Sequence, residues 1–173
     1  MIKSLNINTN ILRTWDVVLQ YTVSYLYKPS TRAAWVIRKT TKSKWNHSGE
    51  IFILNGDICV LESIWGWITL TPWSEFIKQD AFVKVIRLKG FEKKFNKKDY
   101  LIKGLTQLDK RYDYFGILKI FIFICTGKRD NISKRRSMTK WRCSEFNAWM
   151  KDLSWRQSYF PKDFDNNDEF INL

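Results

Sequence analysis

Two hydrophobic periods alternate along the chain, and each change of period marks a boundary between strand-like and helix-like segments. The clearest segment is HSGEIFILNGDICVLES, where apolar runs from Ser48 to Leu54 and from Ile58 to Glu62 flank Asn55-Gly56. Asn-Gly tolerates positive φ at both positions, which a two-residue turn between twisted strands requires, so this segment predicts a β-hairpin. Thr14 to Tyr21 (TWDVVLQY) has the β-branched density of a short strand, and Ala81 to Lys89 (AFVKVIRLK) alternates as a strand does. ITLTPWSEFI reads as a strand ending before Pro72, then a short helix over Trp73 to Lys78.

Helical spacing appears in four places. Ser30 is placed to cap a helix over Thr31 to Thr40, with Ala34, Ile37 and Arg38 in helical register. FEKKFNKKDY opens a helix continuing through Leu101, Leu105 and Leu108, with Lys93, Lys94, Lys97 and Lys98 on a solvated face. Tyr114 to Cys125 (YFGILKIFIFIC) reads as a buried core helix, since a membrane span needs roughly twenty residues and Lys119 interrupts this one. GKRDNISKRRSMTK then reads as a basic surface loop. From Arg142 onward, Phe146, Trp149, Met150 and Leu153 recur at i, i+3, i+4 and i+7, an amphipathic helix with Cys143 at its start. The tail, PKDFDNNDEFINL, is acidic and reads as irregular chain wrapping the surface.

Composition narrows the class. At 173 residues the chain has the length of one domain, residues 1–173, and 45% apolar with 16% aromatic residues excludes a disordered one. Seven Gly, three Pro and no internal repeat exclude collagen-like and solenoid architectures. Thirty Lys and Arg against seventeen Asp and Glu give a net charge of +13, so partners should be anionic. Nucleic acid, an anionic membrane surface and anionic wall polymers all fit that field, and charge alone does not choose among them. Cys59, Cys125 and Cys143 are odd in number and lack a C-x-x-C spacing, which suggests neither a disulfide framework nor a zinc site. No cofactor is implied. The N-terminus lacks the apolar region of a secretory signal, and the expectation is a protein made in the cytoplasm without a transmembrane segment.

With a single histidine, His47, any histidine-dependent chemistry must pass through one ring. If Leu54 faces Asp57 across the turn, His47 lies opposite Ile64, and Glu62 is its diagonal neighbour on the same sheet face. A carboxylate there fixes the imidazole's orientation and stabilises its charged form, as a third catalytic residue does for a base. Cys143 at a helix start, beside Arg142, sits where unpaired amides favour thiolate over thiol and can serve an oxyanion. Each of these residues alone is more commonly structural; the combination points to chemistry. Cys59 and Cys125 lie in apolar runs and read as packing residues.

The order WNHSGEIFI, CVLES, KWRCSEFNAWM resembles the circularly permuted branch of the NlpC-type, papain-like cysteine hydrolases, the YiiX-like and lecithin retinol acyltransferase-like branch. There a His-x-Gly segment opens a strand, a Glu ends the next, and a C-terminal Cys-Ser-Glu opens a helix. TWDVVL, RYDYFGIL and FPKDFDNNDEF are similar to further family segments, so the resemblance spans almost the whole chain. Trp15 stands where the family usually has Gly, and Phe164 where it has Leu. The resemblance implies an α+β papain-like domain, a small and mainly antiparallel sheet packed against helices. It implies Cys143 as nucleophile, His47 as base and Glu62 as the residue orienting it, with Tyr112 lining the substrate site and Asp16 and Asp113 structural. It implies attack on an amide or acyl bond, with cell-wall peptides or lipids as the anionic substrates. The competing class is a non-catalytic basic protein, an accessory of a viral particle or a nucleic-acid binder. The small size, Lys and Asn content and missing signal would suit a phage or virion-associated protein.

Overall fold

The computed structural model describes residues 7–22, 32–64, 66–78, 81–112, 140–153 and 160–173. Its centre is the hairpin of β2 (His47–Leu54) and β3 (Asp57–Ser63), closed by Asn55 and Gly56 at φ 52° and 93°. Leu54 faces Asp57 and the ladder runs back to Gly49 opposite Glu62. β1 (Val17–Thr22) pairs with the other edge of β2, followed outward by β5 (Ala81–Leu88), while β4 (Ile68–Pro72) pairs with β3. With β8 (Phe170–Asn172) beyond β5, this makes a six-stranded sheet in the order β4-β3-β2-β1-β5-β8, every pair antiparallel. Pro72, which cannot donate to a ladder, sits at the end of an edge strand, where that loss is tolerated. β6 (Arg111–Tyr112) and β7 (Lys140–Trp141) form a separate parallel pair.

Both sheet faces are covered. On one, Phe52 and Leu61 pack against Phe91 of α3 (Phe91–Lys94), Tyr100 of α4 (Lys97–Leu105), and Phe146 and Met150 of α5 (Cys143–Met150). The same layer continues through Val17, Leu19 and Ile86 to Ala148 and to Phe164 of α6 (Pro161–Asp165). On the other face, Val18, Ile51, Val60, Val83 and Val85 pack against Leu12 and against Trp73 and Phe76 of α2 (Trp73–Phe76). Gly104 lets α4 lie close: a Cβ there would run into the Phe52 ring and Leu61. Double coverage is why β5 buries Val83 and Val85 on one side and Ile86 and Leu88 on the other.

The α+β class expected from the sequence is the class observed, with four local corrections. β1 starts at Val17, because Trp15 adopts φ 87° and the Asp16 carboxylate turns back to accept from the Arg13 N–H at 2.8 Å. The single helix expected from Phe91 is two: Asn96 interrupts it and caps α4 by accepting from the Lys98 N–H, and Leu108 lies in a turn beyond the helix end. α5 stops at Met150, and Leu153 lies beyond a turn whose Asp152 has φ 51°. The tail is not irregular. Asp163 accepts from the Phe160 N–H to start α6, Phe164 is fully buried, and β8 completes the sheet edge. α1 (Arg32–Thr41) occupies the segment expected to be helical, with Ser30 outside the described residues. The expected core helix from Tyr114 to Cys125, Asp113 and the basic loop up to Thr139 also lie outside them.

Candidate active site

The chemistry-bearing residues converge where the start of β2 meets the start of α5. β2 brings His47, whose backbone pairs with Gln20 of β1 while the hydrogen-bonded ladder to β3 ends at Gly49. Strand alternation puts His47 and Glu62 on one face, and the His47 Nε2 lies 2.6 Å from Glu62 Oε2. The other carboxylate oxygen accepts from the Thr71 hydroxyl at 2.6 Å, so Glu62, only 2% exposed, is held from both ends. Gly49, directly opposite Glu62, makes room for it: a Cβ there would stand 2.5 Å from Val60 Cγ1 and 3.3 Å from Glu62 Cβ. The glycine of His-x-Gly is thus a close-approach glycine.

α5 brings Cys143. The helix starts here because Arg142 adopts extended backbone, Glu145 places a carboxylate in the first turn, and Phe146 and Met150 bury its apolar stripe. Arg142 and Glu145, both buried, form an ion pair across that turn. The Cys143 sulfur hydrogen-bonds the His47 ring and accepts from the backbone N–H groups of Ser48 and Ser144. Cys143, His47 and Glu62 therefore form one hydrogen-bonded chain.

The electrostatics follow from that chain. Burial disfavours a charged imidazole, but hydrogen bonds to Cys143 and Glu62 and their charges outweigh it, raising His47 from 6.5 to about 10. Burial pushes the Cys143 thiol up, yet the His47 hydrogen bond and charge and the two amides hold it below its ordinary value. Both shifts favour thiolate paired with imidazolium. Cys59 goes the other way: burial and the Asp57 carboxylate raise its thiol. The His47 side chain keeps 16% of its surface exposed, so the pair is not sealed from solvent.

Other residues singled out from sequence lie apart from this chain. Asp16 is wholly buried and holds Arg87 through both oxygens, at 2.7 and 2.8 Å. The Tyr112 backbone pairs with Trp141, two residues before Cys143, while its side chain and Cys125 lie outside the described residues. Thr71 and the Ser48 amide escape a sequence reading, because both depend on which strands become neighbours. α6 also contributes: Asp165 accepts from the Trp45 indole at 2.6 Å, fixing the chain two residues before His47. Among the described residues no helix is long and apolar enough to cross a membrane.

No family model matches the chain, and no curated protein matches it. Among solved structures it is similar to that of the metalloprotein YiiX from Escherichia coli O157:H7 (DUF1105), with a TM-score of 0.53 and 20% identity. The match covers 80% of this chain and 63% of YiiX, so the chain spans less than two thirds of that protein's length. At this identity the likeness is one of fold.

Proposed function

We propose that the chain is a cysteine hydrolase with a permuted papain-like fold, acting on amide or acyl bonds. The observation that carries this reading is the hydrogen-bonded run from Cys143 through His47 to Glu62, with two backbone amides on the sulfur. The resemblance of the His-x-Gly, Glu and Cys-Ser-Glu segments to the permuted NlpC-type hydrolases supports it, as does the fold shared with YiiX.

In the proposed reaction the Cys143 thiolate attacks the acyl carbon, forming the C–S bond and a tetrahedral oxyanion. The helix-start amides stabilise that negative charge. Collapse breaks the bond to the leaving amine or alcohol, which takes the proton from the His47 imidazolium. His47, now neutral, removes a proton from water as it attacks the thioester, and C–S cleavage returns the thiolate. Glu62 holds the ring in orientation and stabilises its charged form throughout. An alcohol or amine acceptor in place of water would make the same site an acyltransferase.

YiiX is described as a metalloprotein, but among the described residues of this chain no three His, Cys, Asp or Glu side chains could hold a metal ion. The proposed chemistry runs through the Cys143, His47 and Glu62 side chains, and no step is routed through a metal. The +13 charge suits an anionic substrate such as a cell-wall peptide polymer or a lipid surface. That charge also supports the second reading, a basic binding protein that keeps the fold without catalysis.

The test is labelling of the intact protein with an acyl-type electrophile and location of the modified cysteine by mass, beside turnover on wall peptides and acyl lipids. Cys143 should label ahead of Cys59 and Cys125, and His47→Ala should slow it at least tenfold. Uniform labelling of all three cysteines, with no turnover across the panel, would favour the binding protein.

A further inference from the structure

Away from the reacting atoms, on the face of β2 opposite His47, lies a buried ionic cluster that the proposed chemistry does not use. Glu50 Oε2 accepts from Lys151 Nζ at 2.7 Å and from the Tyr100 hydroxyl at 2.8 Å, and both charged side chains are completely buried. Lys151 also donates to the Trp15 carbonyl at 2.6 Å and lies 3.2 Å from the Tyr100 oxygen. Glu50 Oε1 is buried with no hydrogen-bond partner.

Placement gives the cluster its meaning. Glu50 is three residues after His47 on β2, and Lys151 is the residue that closes α5, whose first residue is Cys143. A buried pair lost from one side leaves an uncompensated charge, so this contact ties the far end of α5 to β2. A rigid helix of eight residues passes that placement on to its first turn.

Resting on the catalytic reading above, we propose that Glu50 and Lys151 are positioning residues: their charge pair sets Cys143 against His47, and protonation of Glu50 slackens the site without touching it. The charged groups facing the pair come from each element packed on it. α5 contributes Lys151, α4 contributes Tyr100 and Lys103, and the turn before β1 contributes Asp16, itself paired with Arg87 of β5. Asp152 neutralises Lys103 at 2.7 Å. Burial raises Glu50 from 4.5 to about 7 against the opposing charge and hydrogen bond of Lys151. Burial likewise lowers Lys151. Below neutrality Glu50 takes a proton, and Lys151, without its counter-charge, keeps only the Trp15 carbonyl and the Tyr100 oxygen, so the end of α5 is held less tightly.

The experiment is the rate of iodoacetamide alkylation of Cys143, located by mass, between pH 6 and 9 in the full-length chain. Wild type should gain about tenfold between pH 6 and 8 and then level off, following the ionised fraction of a group titrating near 7. Glu50→Gln mimics the protonated acid and should stay near the wild-type pH 6 rate across the range. The double variant Glu50→Leu/Lys151→Met replaces the pair by apolar groups of similar size, guards against loss of folding in the single variant, and should also lack the step. A reactive Cys143 whose step survives in either variant overturns this inference alone, since the step would then be the thiol's own titration. A Cys143 no more reactive than Cys59 at any pH overturns the catalytic reading and this inference with it.

Discussion

Because the chain has one histidine, its imidazole can be followed by proton NMR without assignment ambiguity, and His47 is the residue whose ionisation the site perturbs most legibly. The perturbation is Cys143→Ala. In wild type the ring is raised from 6.5 to about 10, which corresponds to about 5 kcal/mol in favour of imidazolium at about 1.4 kcal/mol per pH unit. Burial opposes the charge, so the favourable contributions together exceed that figure. Cys143 supplies the largest favourable hydrogen bond and the larger of the two charge effects. Removing it should bring the midpoint down by about two pH units. Glu62→Gln, which keeps a hydrogen bond and loses the charge, should give a smaller fall. The ring and thiol share one proton equilibrium, so the upper midpoint in wild type belongs to the pair. The sign also fixes stability: the raised imidazole loses its contribution as pH climbs through about 10, and the lowered Cys143 thiol loses its own as pH falls and the sulfur takes a proton. Wild type should therefore lose its stability advantage over Cys143→Ala across that alkaline window. A wild-type imidazole that titrates near 6.5, unmoved by Cys143→Ala, would refute the pairing of thiol and ring.

Three further outcomes follow from single contacts. Gly49→Ala should destabilise by about 1–3 kcal/mol in urea unfolding, because its Cβ meets Val60 at 2.5 Å, and should slow Cys143 alkylation by displacing Glu62; a change below about 0.5 kcal/mol would mean the strands separate freely. Thr71→Val should cost about 1–3 kcal/mol by leaving Glu62 Oε1 buried without its donor, while Thr71→Ser retains most of the stability. Phe146→Ala, which empties a fully buried site between α5 and the sheet, should cost about 3–5 kcal/mol by the same assay.

How far the sequence discloses this molecule depends on the range of the interaction involved. The β2–β3 hairpin is legible because its register is set locally by Asn55-Gly56, and that register carries Glu62 to within 2.6 Å of His47. The start of α5 is equally local: Phe146, Trp149 and Met150 on a helical stripe and a carboxylate in the first turn. What brings α5 to β2 is not. Glu50 sits inside a hydrophobic strand and Lys151 after an amphipathic helix, and only their 101-residue separation, closed by the fold, turns a solvated charge at each place into a buried pair. The break between α3 and α4 was written locally in Asn96, but the lysine-rich pattern on either side continued the helical period and masked the cap. The tail shows the same limit, since Asp163 and Phe164 acquire meaning only when β5 offers an open edge and Trp45 offers an indole N–H to Asp165. Trp15 is the most telling case. Its backbone adopts φ 87°, a conformation that favours Gly. A tryptophan in that conformation is strained, and it is accompanied by a ring 5.7 Å from Phe91 and a carbonyl that accepts from Lys151, the residue that closes the helix starting at Cys143.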